Sequence, residues 1–296
     1  MTSLSKSRAK SLRVALIQEQ TFSTRAQSYI ALEKQLRKAH QQGAELVLMQ
    51  ELHGGPYFPQ IEDPVHCDLA EPIPGPSTDF FSQLAKELQI VIVISLFEER
   101  MTGLYHNTAV VIERTGEIAG LYRKMHIPDD PGFYEKFYFA PGDLGFVPID
   151  TSVGRLGVLI CWDQWFPEAA RLMALAGAEL LLYPTAIAWS ANESPEEQAR
   201  QLDAWVTVQR GHAIANNLPL LATNRVGVEQ DLHFWGNSFI AGPQGEILAQ
   251  ANQEHPEILI ADIDRDRSKQ VRRMWPFFRD RRIDAYKGLT CLNITA

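Results

Sequence analysis

Cysteine is scarce in this chain of 296 residues, and the few cysteines lie far apart. The three are Cys67, Cys161 and Cys291, and no two of them form a CxxC pair. Without such pairs the sequence indicates neither a zinc ribbon nor a disulfide framework. Unpaired thiols are typical of reducing compartments, so we expect a cytoplasmic protein.

Long hydrophobic runs are also missing. The apolar runs have the length of strands, whereas a membrane-spanning helix needs about 20 consecutive apolar residues. Residues 1–11 are polar and basic, with no apolar segment behind them, which predicts no secretory signal. We expect residues 1–11 to be disordered or loosely attached, and residues 12–296 to form a single domain.

An excess of basic side chains is absent as well. The chain has 28 Lys and Arg against 36 Asp and Glu, which gives a formal net charge of −8. Nucleic-acid binding proteins usually present a basic face, so we expect no nucleic-acid partner. The acidic balance suits a cationic substrate, although most acidic surfaces only aid solubility.

Predicted strands and helices alternate along much of the chain. Short apolar runs predict buried strands at 12–17, 46–50, 90–96, 105–112, 118–123, 178–183, 220–224, 237–241 and 258–263. Capping and apolar patterns predict helices at 25–42, 78–88, from 167 onward, and from 195 to about 217. Strands 105–112 and 118–123 flank a turn and predict an antiparallel hairpin. The pattern indicates an α/β fold with mixed sheets, and the similar strand sets in the two halves suggest two packed sheets.

The apolar run that starts at Leu156 ends in Cys161, and a short polar and aromatic turn separates it from Pro167. A short, continuous apolar run predicts a buried strand, and proline is typical of the first turn of a helix. We therefore expect Cys161 at a strand-to-helix junction, where free N–H groups and the helix dipole favour a thiolate. The alternative is a structural cysteine, because cysteine is among the most buried residue types.

Three residues with complementary chemistry are predicted at strand ends, namely Glu51, Lys124 and Cys161. A free thiol has a pKa near ~8.5, so a neighbouring carboxylate is suited to remove its proton. A lysine can stabilise both the thiolate and the oxyanion that forms when the thiolate attacks a carbonyl or nitrile carbon. The alternative is that Glu51 and Lys124 are solvated or paired surface charges.

Five segments, in this order, resemble the nitrilase superfamily of carbon–nitrogen hydrolases. They are LMQEL at 48–52, YRKMHIP at 122–128, YEKFYFAPGD at 134–143, LICWD at 159–163 and WGNS at 235–238. One segment alone would be weak support, but five in order are strong. The resemblance spans nearly the whole chain and implies a four-layer α-β-β-α sandwich with two mixed sheets.

The resemblance also implies roles for individual residues. Cys161 is the expected nucleophile, Glu51 the general base and Lys124 the residue that stabilises the oxyanion. The backbone N–H of Trp162 is expected to complete the oxyanion hole, and Glu135 to orient the lysine and the leaving group. The implied chemistry needs no metal and no organic cofactor.

Glu135 and His126 belong to a long predicted loop, residues 126–145, which is dense in Pro, Gly, Asp and aromatic residues. Loops of this length in a compact domain are usually functional or disordered. From the residues alone, Glu135 can instead form an ion pair with Lys136 or Arg123. Since the base role is already taken, we expect His126 to be a hydrogen-bonding loop residue.

Within the superfamily, three segments look most like the N-carbamoylputrescine amidase branch, namely residues 127–137, 161–168 and 182–187. That branch, which acts in polyamine biosynthesis, hydrolyses a terminal ureido group to give putrescine, ammonia and carbon dioxide. Its substrate carries a free ammonium group. The resemblance therefore implies a small cationic substrate.

Residues that meet such a substrate are expected in the loops at the mouth of the site. Asp130 and Glu193 are candidates to attract the ammonium group, although each can be an ordinary surface carboxylate. Tyr57, Trp162 and Trp189 are candidates for an apolar wall along a four-carbon chain. The alternative for these aromatic residues is packing in the core or at an interface.

Two other functions stay open at this point. A β-ureidopropionase, an N-carbamoyl-amino-acid hydrolase or an ω-amidase would bind a carboxylate and need a basic anchor beside Cys161, such as Arg225 or His212. A non-catalytic binding or scaffold protein on the same fold is the other alternative, and the presence of all three triad residue types argues against it. Oligomers are common in the superfamily, so we expect a homo-oligomer in which the aromatic and basic residues 275–282 dock on a neighbour.

Overall fold

The computed structural model describes residues 10–294. Residues 1–9, most of the predicted N-terminal segment, lie outside the described residues. The α-helices are Arg25–Gln41 (α1), Pro76–Leu88 (α2), Glu135–Tyr138 (α3), Pro167–Leu175 (α4), Pro195–Asn216 (α5) and Arg267–Met274 (α6). Across residues 10–294, none of the helices is both long enough and apolar enough to cross a membrane.

Fifteen strands are present in the described residues. In chain order they are Ser11–Gln18 (β1), Leu46–Met49 (β2), Val91–Met101 (β3), Leu104–Ile112 (β4), Ile118–Arg123 (β5), Ile149–Thr151 (β6), Gly154–Val158 (β7), Leu180–Pro184 (β8), Ala188–Ser190 (β9), Leu220–Thr223 (β10), Val226–Glu229 (β11), Leu232–Trp235 (β12), Phe239–Ala241 (β13), Ile247–Gln250 (β14) and Glu257–Asp264 (β15).

Two six-stranded sheets form the centre of the molecule. The first has the order β15-β1-β2-β3-β4-β5, and the second has the order β14-β13-β10-β8-β7-β6. Both are mixed: β1, β2 and β3 run parallel, whereas β3, β4 and β5 are antiparallel, and β7, β8 and β10 run parallel between antiparallel edges. The predicted hairpin is therefore confirmed as β4 and β5.

The alternation of side chains along the strands explains how the sheets pack. On β1, Leu16 belongs to the apolar cluster that also contains Leu182 of the second sheet, whereas Ile17 belongs to a cluster with Leu36 of α1. Successive residues of a strand point to opposite faces, so one face of the first sheet packs on the second sheet and the other on α1 and α2. Helices α4 and α5 cover the far face of the second sheet, where Met173 packs against it. The predicted four-layer α-β-β-α sandwich is confirmed.

A third, three-stranded sheet with the order β11-β12-β9 was not predicted from the sequence. Its strands have three or four residues each and mix polar with apolar side chains, so they lack the apolar runs that identified the other strands. Helix α3 is a second difference, because it lies within residues 126–145, which were predicted as loop throughout. Both features lie close to the site described next.

Candidate active site

Strand ends from both sheets deliver the three predicted residues to one place. Glu51 follows β2, Lys124 follows β5, and Cys161 follows β7 by three residues. The N–H of Glu51 donates to the carbonyl of Thr185, just after β8 of the second sheet, at 3.3 Å. Glu51 and Lys124 are fully buried and Cys161 is 4% exposed, so Glu51 and Lys124 are not solvated surface charges.

Lys124 lies between two carboxylates. Its Nζ donates to Oε1 of Glu51 at 2.8 Å and to Oε2 of Glu135 at 2.6 Å. The other oxygen of Glu135 accepts from the hydroxyl of Tyr57 at 2.8 Å. Arg123 pairs instead with Glu98, so the alternative ion pair between Arg123 and Glu135 is wrong.

Glu51 is held at only one of its two carboxylate oxygens. Oε1 accepts from Lys124 and also from Nδ2 of Asn107, at 2.6 Å, whereas the buried Oε2 has no hydrogen-bond partner among the described residues. Ser95 donates to Oδ1 of Asn107 at 3.2 Å, which orients this amide. Sequence reasoning missed Asn107, and the one available signal was a polar residue beside the apolar run of β4.

Burial and neighbouring charges set the ionisation of this group. Burial alone would lower the pKa of Lys124, but the charges of Glu135 and Glu51 outweigh it and raise that pKa. Burial raises the pKa of Glu135 to about 7, against the opposing effect of the Lys124 charge. Burial, together with the charge of Glu51, raises the pKa of the Cys161 thiol well above its usual range. The thiol is therefore protonated at neutral pH.

This result corrects the prediction that a helix N-terminus lowers the pKa of Cys161. Helix α4 begins at Pro167, as predicted, but a 3₁₀ turn, Cys161–Trp165, separates it from the cysteine. The helix dipole acts mainly within the first turn of its own helix, so α4 is too far away to offset burial. Cys161 therefore needs a base to lose its proton, and the charge of Glu51 is close enough to contribute to its raised pKa.

The backbone at Cys161 is held in a strained conformation. Its φ is +43°, in the left-handed region that residues other than glycine seldom adopt. Asp163 supports this turn, because its Oδ2 accepts from the N–H of Ile160 at 2.8 Å and from the hydroxyl of Tyr122 at 2.7 Å. Trp162 stands in the first turn, where N–H groups have no partner within the helix. That N–H is therefore suited to an oxyanion.

His126 contacts the same aspartate. Its Nδ1 lies 2.6 Å from Oδ1 of Asp163, and its ring stacks on Phe166 with the centroids 3.8 Å apart. This contact agrees with the expected hydrogen-bonding loop histidine. Asp163 therefore joins the loop that follows Lys124 to the turn that carries Cys161.

A cavity of about 390 Å³ opens beside Cys161. The residues that line it are Pro128, Asp130, Pro131, Phe133, Cys161, Trp162, Trp165, Ala186, Ile187, Ala188, Ser190, Glu193, Gln201, Ala204 and Trp235. Asp130, Trp162 and Glu193 are thus brought to the cavity, as predicted. Oδ1 of Asp130 and Oε2 of Glu193 are buried without a partner among the described residues. No lysine, arginine or histidine is among the described residues that line the cavity.

Two predicted wall residues lie elsewhere. Tyr57 is 1% exposed and uses its hydroxyl to hold Glu135, so it stands behind the charged group and does not line the cavity. Trp189 donates from Nε1 to the carbonyl of Gln198 at 3.0 Å and packs 5.2 Å from Trp235, ring centroid to ring centroid. Trp189 therefore packs against Trp235, which lines the cavity, and does not line the cavity itself. In both cases the sequence could not show which face of the chain turns toward the cavity.

The two candidate anchors for an anionic substrate are also engaged elsewhere. Arg225 is fully buried and forms an ion pair with Glu229 at 2.7 Å. Nδ1 of His212 lies 2.9 Å from the hydroxyl of Tyr183, and burial lowers its pKa to about 4, which keeps it uncharged. Neither residue lines the cavity beside Cys161.

Comparison with known proteins gives a consistent result. A carbon-nitrogen hydrolase family model matches residues 13–273. The N-carbamoylputrescine amidase of Oryza sativa subsp. japonica is 45% identical over 289 residues, with 95% of each chain covered. The citrullinase of Francisella tularensis subsp. tularensis is 41% identical over 280 residues, covering 93% of this chain and 96% of that protein.

Solved structures agree with the sequence relatives. The crystal structure of a carbon-nitrogen hydrolase from Helicobacter pylori G27 is similar with a TM-score of 0.92 at 54% identity, covering 94% of this chain and 98% of that one. The fold, the family model and the relatives all indicate the same family. The chain belongs to the carbon–nitrogen hydrolase family and is an enzyme that hydrolyses carbon–nitrogen bonds.

Proposed function

We propose that this enzyme hydrolyses N-carbamoylputrescine to putrescine, ammonia and carbon dioxide, as its place among N-carbamoylputrescine amidases suggests. One observation carries the choice of substrate: the cavity beside Cys161 has two carboxylates with unpartnered oxygens and no cationic side chain among its described lining residues. An ammonium group that leaves water needs a charged or hydrogen-bonding partner. Asp130 and Glu193 supply such partners.

We assign the first chemical step to Cys161 and Glu51. Oε2 of Glu51 takes the thiol proton while Sγ attacks the carbamoyl carbon, which forms a C–S bond and moves the carbonyl π electrons onto oxygen. Nζ of Lys124 and the N–H of Trp162 stabilise that oxyanion. The protonated resting thiol supports this order, because the base then acts during the attack and not before it.

The tetrahedral intermediate collapses when one C–N bond breaks. The departing nitrogen takes the proton from Glu51 and leaves a thiocarbamate on Cys161, because the second nitrogen stays on the carbonyl carbon. Water then attacks this thiocarbamate, Glu51 accepts a proton from the water, and the sulfur leaves and is reprotonated. The carbamate that results from either order of departure breaks down to an amine or ammonia and carbon dioxide. No metal or cofactor enters these steps.

Glu135 acts through Lys124 in this scheme. Its carboxylate, 2.6 Å from Nζ, keeps the lysine charged and pointed at the oxyanion position. Tyr57 in turn holds Glu135. We therefore regard Glu135 and Tyr57 as residues that position Lys124.

A carboxylate-bearing substrate is the main alternative, and it includes N-carbamoyl-β-alanine and citrulline. A citrullinase is among the relatives. N-carbamoyl-β-alanine would place its only charged group, a carboxylate, near Asp130 and Glu193, where like charges repel. Citrulline carries an α-ammonium group as well, so for citrulline the argument rests on the lack of a basic partner for its carboxylate. The engagement of Arg225 and His212 elsewhere leaves no basic anchor for it among the described lining residues. A non-catalytic scaffold would not need three triad side chains brought together in a buried site.

Oligomer formation and location are further parts of the proposal. Apolar side chains are exposed on α4 and in the C-terminal segment, with Leu172, Leu175 and Trp275 each close to half exposed. We propose that they meet a second copy in a homo-oligomer, because such patches are typical of interfaces. Three unpaired cysteines support a cytoplasmic location, and residues 12–296 are proposed to act as one domain.

Ammonia release from a substrate panel tests the substrate assignment. The panel contains N-carbamoylputrescine, N-carbamoyl-β-alanine, citrulline, glutamine and a simple nitrile. We expect kcat/KM for N-carbamoylputrescine to exceed the others by at least about tenfold, and the preference to narrow as salt screens the carboxylates. Equal kcat/KM values across the panel, or a higher kcat/KM for a carboxylate-bearing substrate, would contradict the substrate assignment.

A further inference from the structure

A second buried ion pair lies behind the cluster formed by Glu51, Lys124 and Glu135, and the chemistry above does not use it. Arg225 stands between β10 and β11, and Glu229 ends β11. Nη1 of Arg225 donates to Oε1 of Glu229 at 2.7 Å, and the two side chains are 0% and 9% exposed. Buried ion pairs often stabilise a protein no more than apolar residues of the same size, so stability alone does not explain this pair.

The guanidinium of Arg225 is bonded directly to the chain that carries the proposed base. Nη2 donates to the carbonyl of Glu51 at 3.0 Å and to the carbonyl of Leu52 at 2.9 Å. Leu52 has a φ of +48°, so this chain turns sharply in the left-handed region immediately after the base. Arg225 therefore fixes the backbone from which the Glu51 carboxylate extends.

Glu229 is bonded to the chain that supports the other carboxylate. Its Oε2 accepts from the N–H of Tyr57 at 2.6 Å, and the hydroxyl of the same tyrosine donates to Glu135 at 2.8 Å. The Arg225 guanidinium also lies 5.8 Å from the centre of the Tyr57 ring. One ion pair is thus connected to both carboxylates that flank Lys124.

We propose that Arg225 and Glu229 are positioning residues that set the places of Glu51 and Glu135 on either side of Lys124. This inference rests on the roles given to those residues under the proposed function. Arg225 acts on the base through two carbonyl groups, and Glu229 acts on Glu135 through Tyr57. Neither residue lines the cavity, so substrate binding should depend on them little.

The test compares Arg225→Lys and Glu229→Gln with the wild-type enzyme. Lysine keeps the charge but has one nitrogen in place of two, whereas in Arg225 Nη1 bonds Glu229 and Nη2 bonds both carbonyls. Glutamine at position 229 keeps the shape but removes the charge. A misplacement of about 1 Å can cost roughly 10²-fold in rate, so we expect kcat per active site to fall by about that factor. KM should change by less than about threefold, because ground-state contacts remain.

Active sites are counted by the amount of Cys161 that iodoacetamide alkylates, so that loss of folded protein is not mistaken for loss of rate. Glu98→Gln is the matched control, since it breaks the buried pair with Arg123 that has no bond to Glu51 or Glu135. It should lower the melting temperature and leave kcat per alkylated site unchanged. Combining Glu229→Gln with Tyr57→Phe should cost less than the product of the single effects, because both act on Glu135.

The inference would be overturned if kcat per alkylated site were unchanged in both Arg225→Lys and Glu229→Gln. It would also be overturned if the fold loss of kcat in the double variant equalled the product of the losses in Glu229→Gln and Tyr57→Phe. If wild-type enzyme does not hydrolyse N-carbamoylputrescine, the proposed substrate fails separately. The variants are then compared on whichever panel substrate is hydrolysed, and by the rate of Cys161 alkylation, which needs no substrate.

Discussion

Nζ of Lys124 lies 2.8 Å from Oε1 of Glu51, although their strands, β5 and β2, are separated in the first sheet by β4 and β3. Asn107 of β4 donates to the same oxygen at 2.6 Å. Because both donors share Oε1, the second oxygen of Glu51 is left without a partner among the described residues. This arrangement leaves Oε2 free for the proposed role of Glu51 as the base and leads to the first prediction.

Replacement of Asn107 should impair turnover without removing any triad residue. Asn107→Ala takes one of two donors from Oε1 of Glu51, which frees the carboxylate to rotate. We expect kcat to fall by about tenfold to a hundredfold, with KM little changed, because a hydrogen bond to a charged group is worth roughly 1.5–3 kcal/mol. Steady-state kinetics on N-carbamoylputrescine measure this, and Ser95→Ala, one bond further away, should have a smaller effect. Full activity in Asn107→Ala would separate this residue from catalysis.

Lys124→Met should abolish turnover and also reduce stability. Loss of one oxyanion donor typically costs about 10²–10³ in rate. Removal of the cation also leaves two buried carboxylates without their partner, and breaking a buried pair in this way typically costs about 3–5 kcal/mol. Kinetics and thermal unfolding measure both effects. Lys136→Met is the control, because this exposed lysine follows Glu135 in α3 and its loss should affect neither quantity.

The pH dependence should report on Glu135, whose pKa is raised to about 7 by burial. Protonation below that pH removes the negative charge that holds Lys124, so kcat/KM should fall on the acid side of about pH 7. The hydrogen bond from Tyr57 lowers this pKa, and Tyr57→Phe should therefore move the acid limb to higher pH. Rate profiles of both proteins check the shift. Tyr105→Phe should leave the limb in place, and an acid limb that moves down in Tyr57→Phe would refute the assignment.

Haloacetamide and haloacetate should distinguish Cys161 from the other thiols. Asp130 and Glu193 repel an anionic reagent from the cavity, whereas Cys291 is exposed and provides an internal reference. For each thiol the rate of alkylation by iodoacetamide is divided by the rate of alkylation by iodoacetate. We expect this rate ratio to be at least about tenfold higher at Cys161 than at Cys291, which corresponds to roughly 1.4 kcal/mol. Peptide mapping by mass spectrometry measures both ratios. Inactivation that follows alkylation of Cys67 or Cys291 instead would remove Cys161 from the nucleophile role.

Neutral replacements of the two cavity carboxylates should change substrate preference. Asp130→Asn and Glu193→Gln remove charges that attract an ammonium group, so kcat/KM for N-carbamoylputrescine should fall by about tenfold for the more important of the two. The ratio of kcat/KM for N-carbamoylputrescine to kcat/KM for N-carbamoyl-β-alanine should fall most in the double variant. Glu196→Gln is the control, since this glutamate is exposed in the first turn of α5. An unchanged ratio in the double variant would show that the ammonium binds elsewhere.

The sequence by itself determined the framework of the protein. Continuous apolar runs identified most strands of the two large sheets, and Thr24 and Ser194 marked the starts of α1 and α5. These signals are local, because strand periodicity and helix capping depend on a few neighbouring residues. The positions of Glu51 and Lys124 within two residues of strand ends followed from the same runs.

Only the tertiary structure decided which side chains meet. Asn107 reaches Glu51 from 56 positions away, and Arg225 reaches it from 174, distances over which no periodicity carries information. The same limit explains why the prediction for Tyr57 was wrong. Its aromatic side chain suits the wall of a cavity, but it is turned inward, where its hydroxyl bonds Glu135. The raised pKa of Cys161 also depends on packing, because burial removes the water that would stabilise a thiolate and local sequence does not encode that burial.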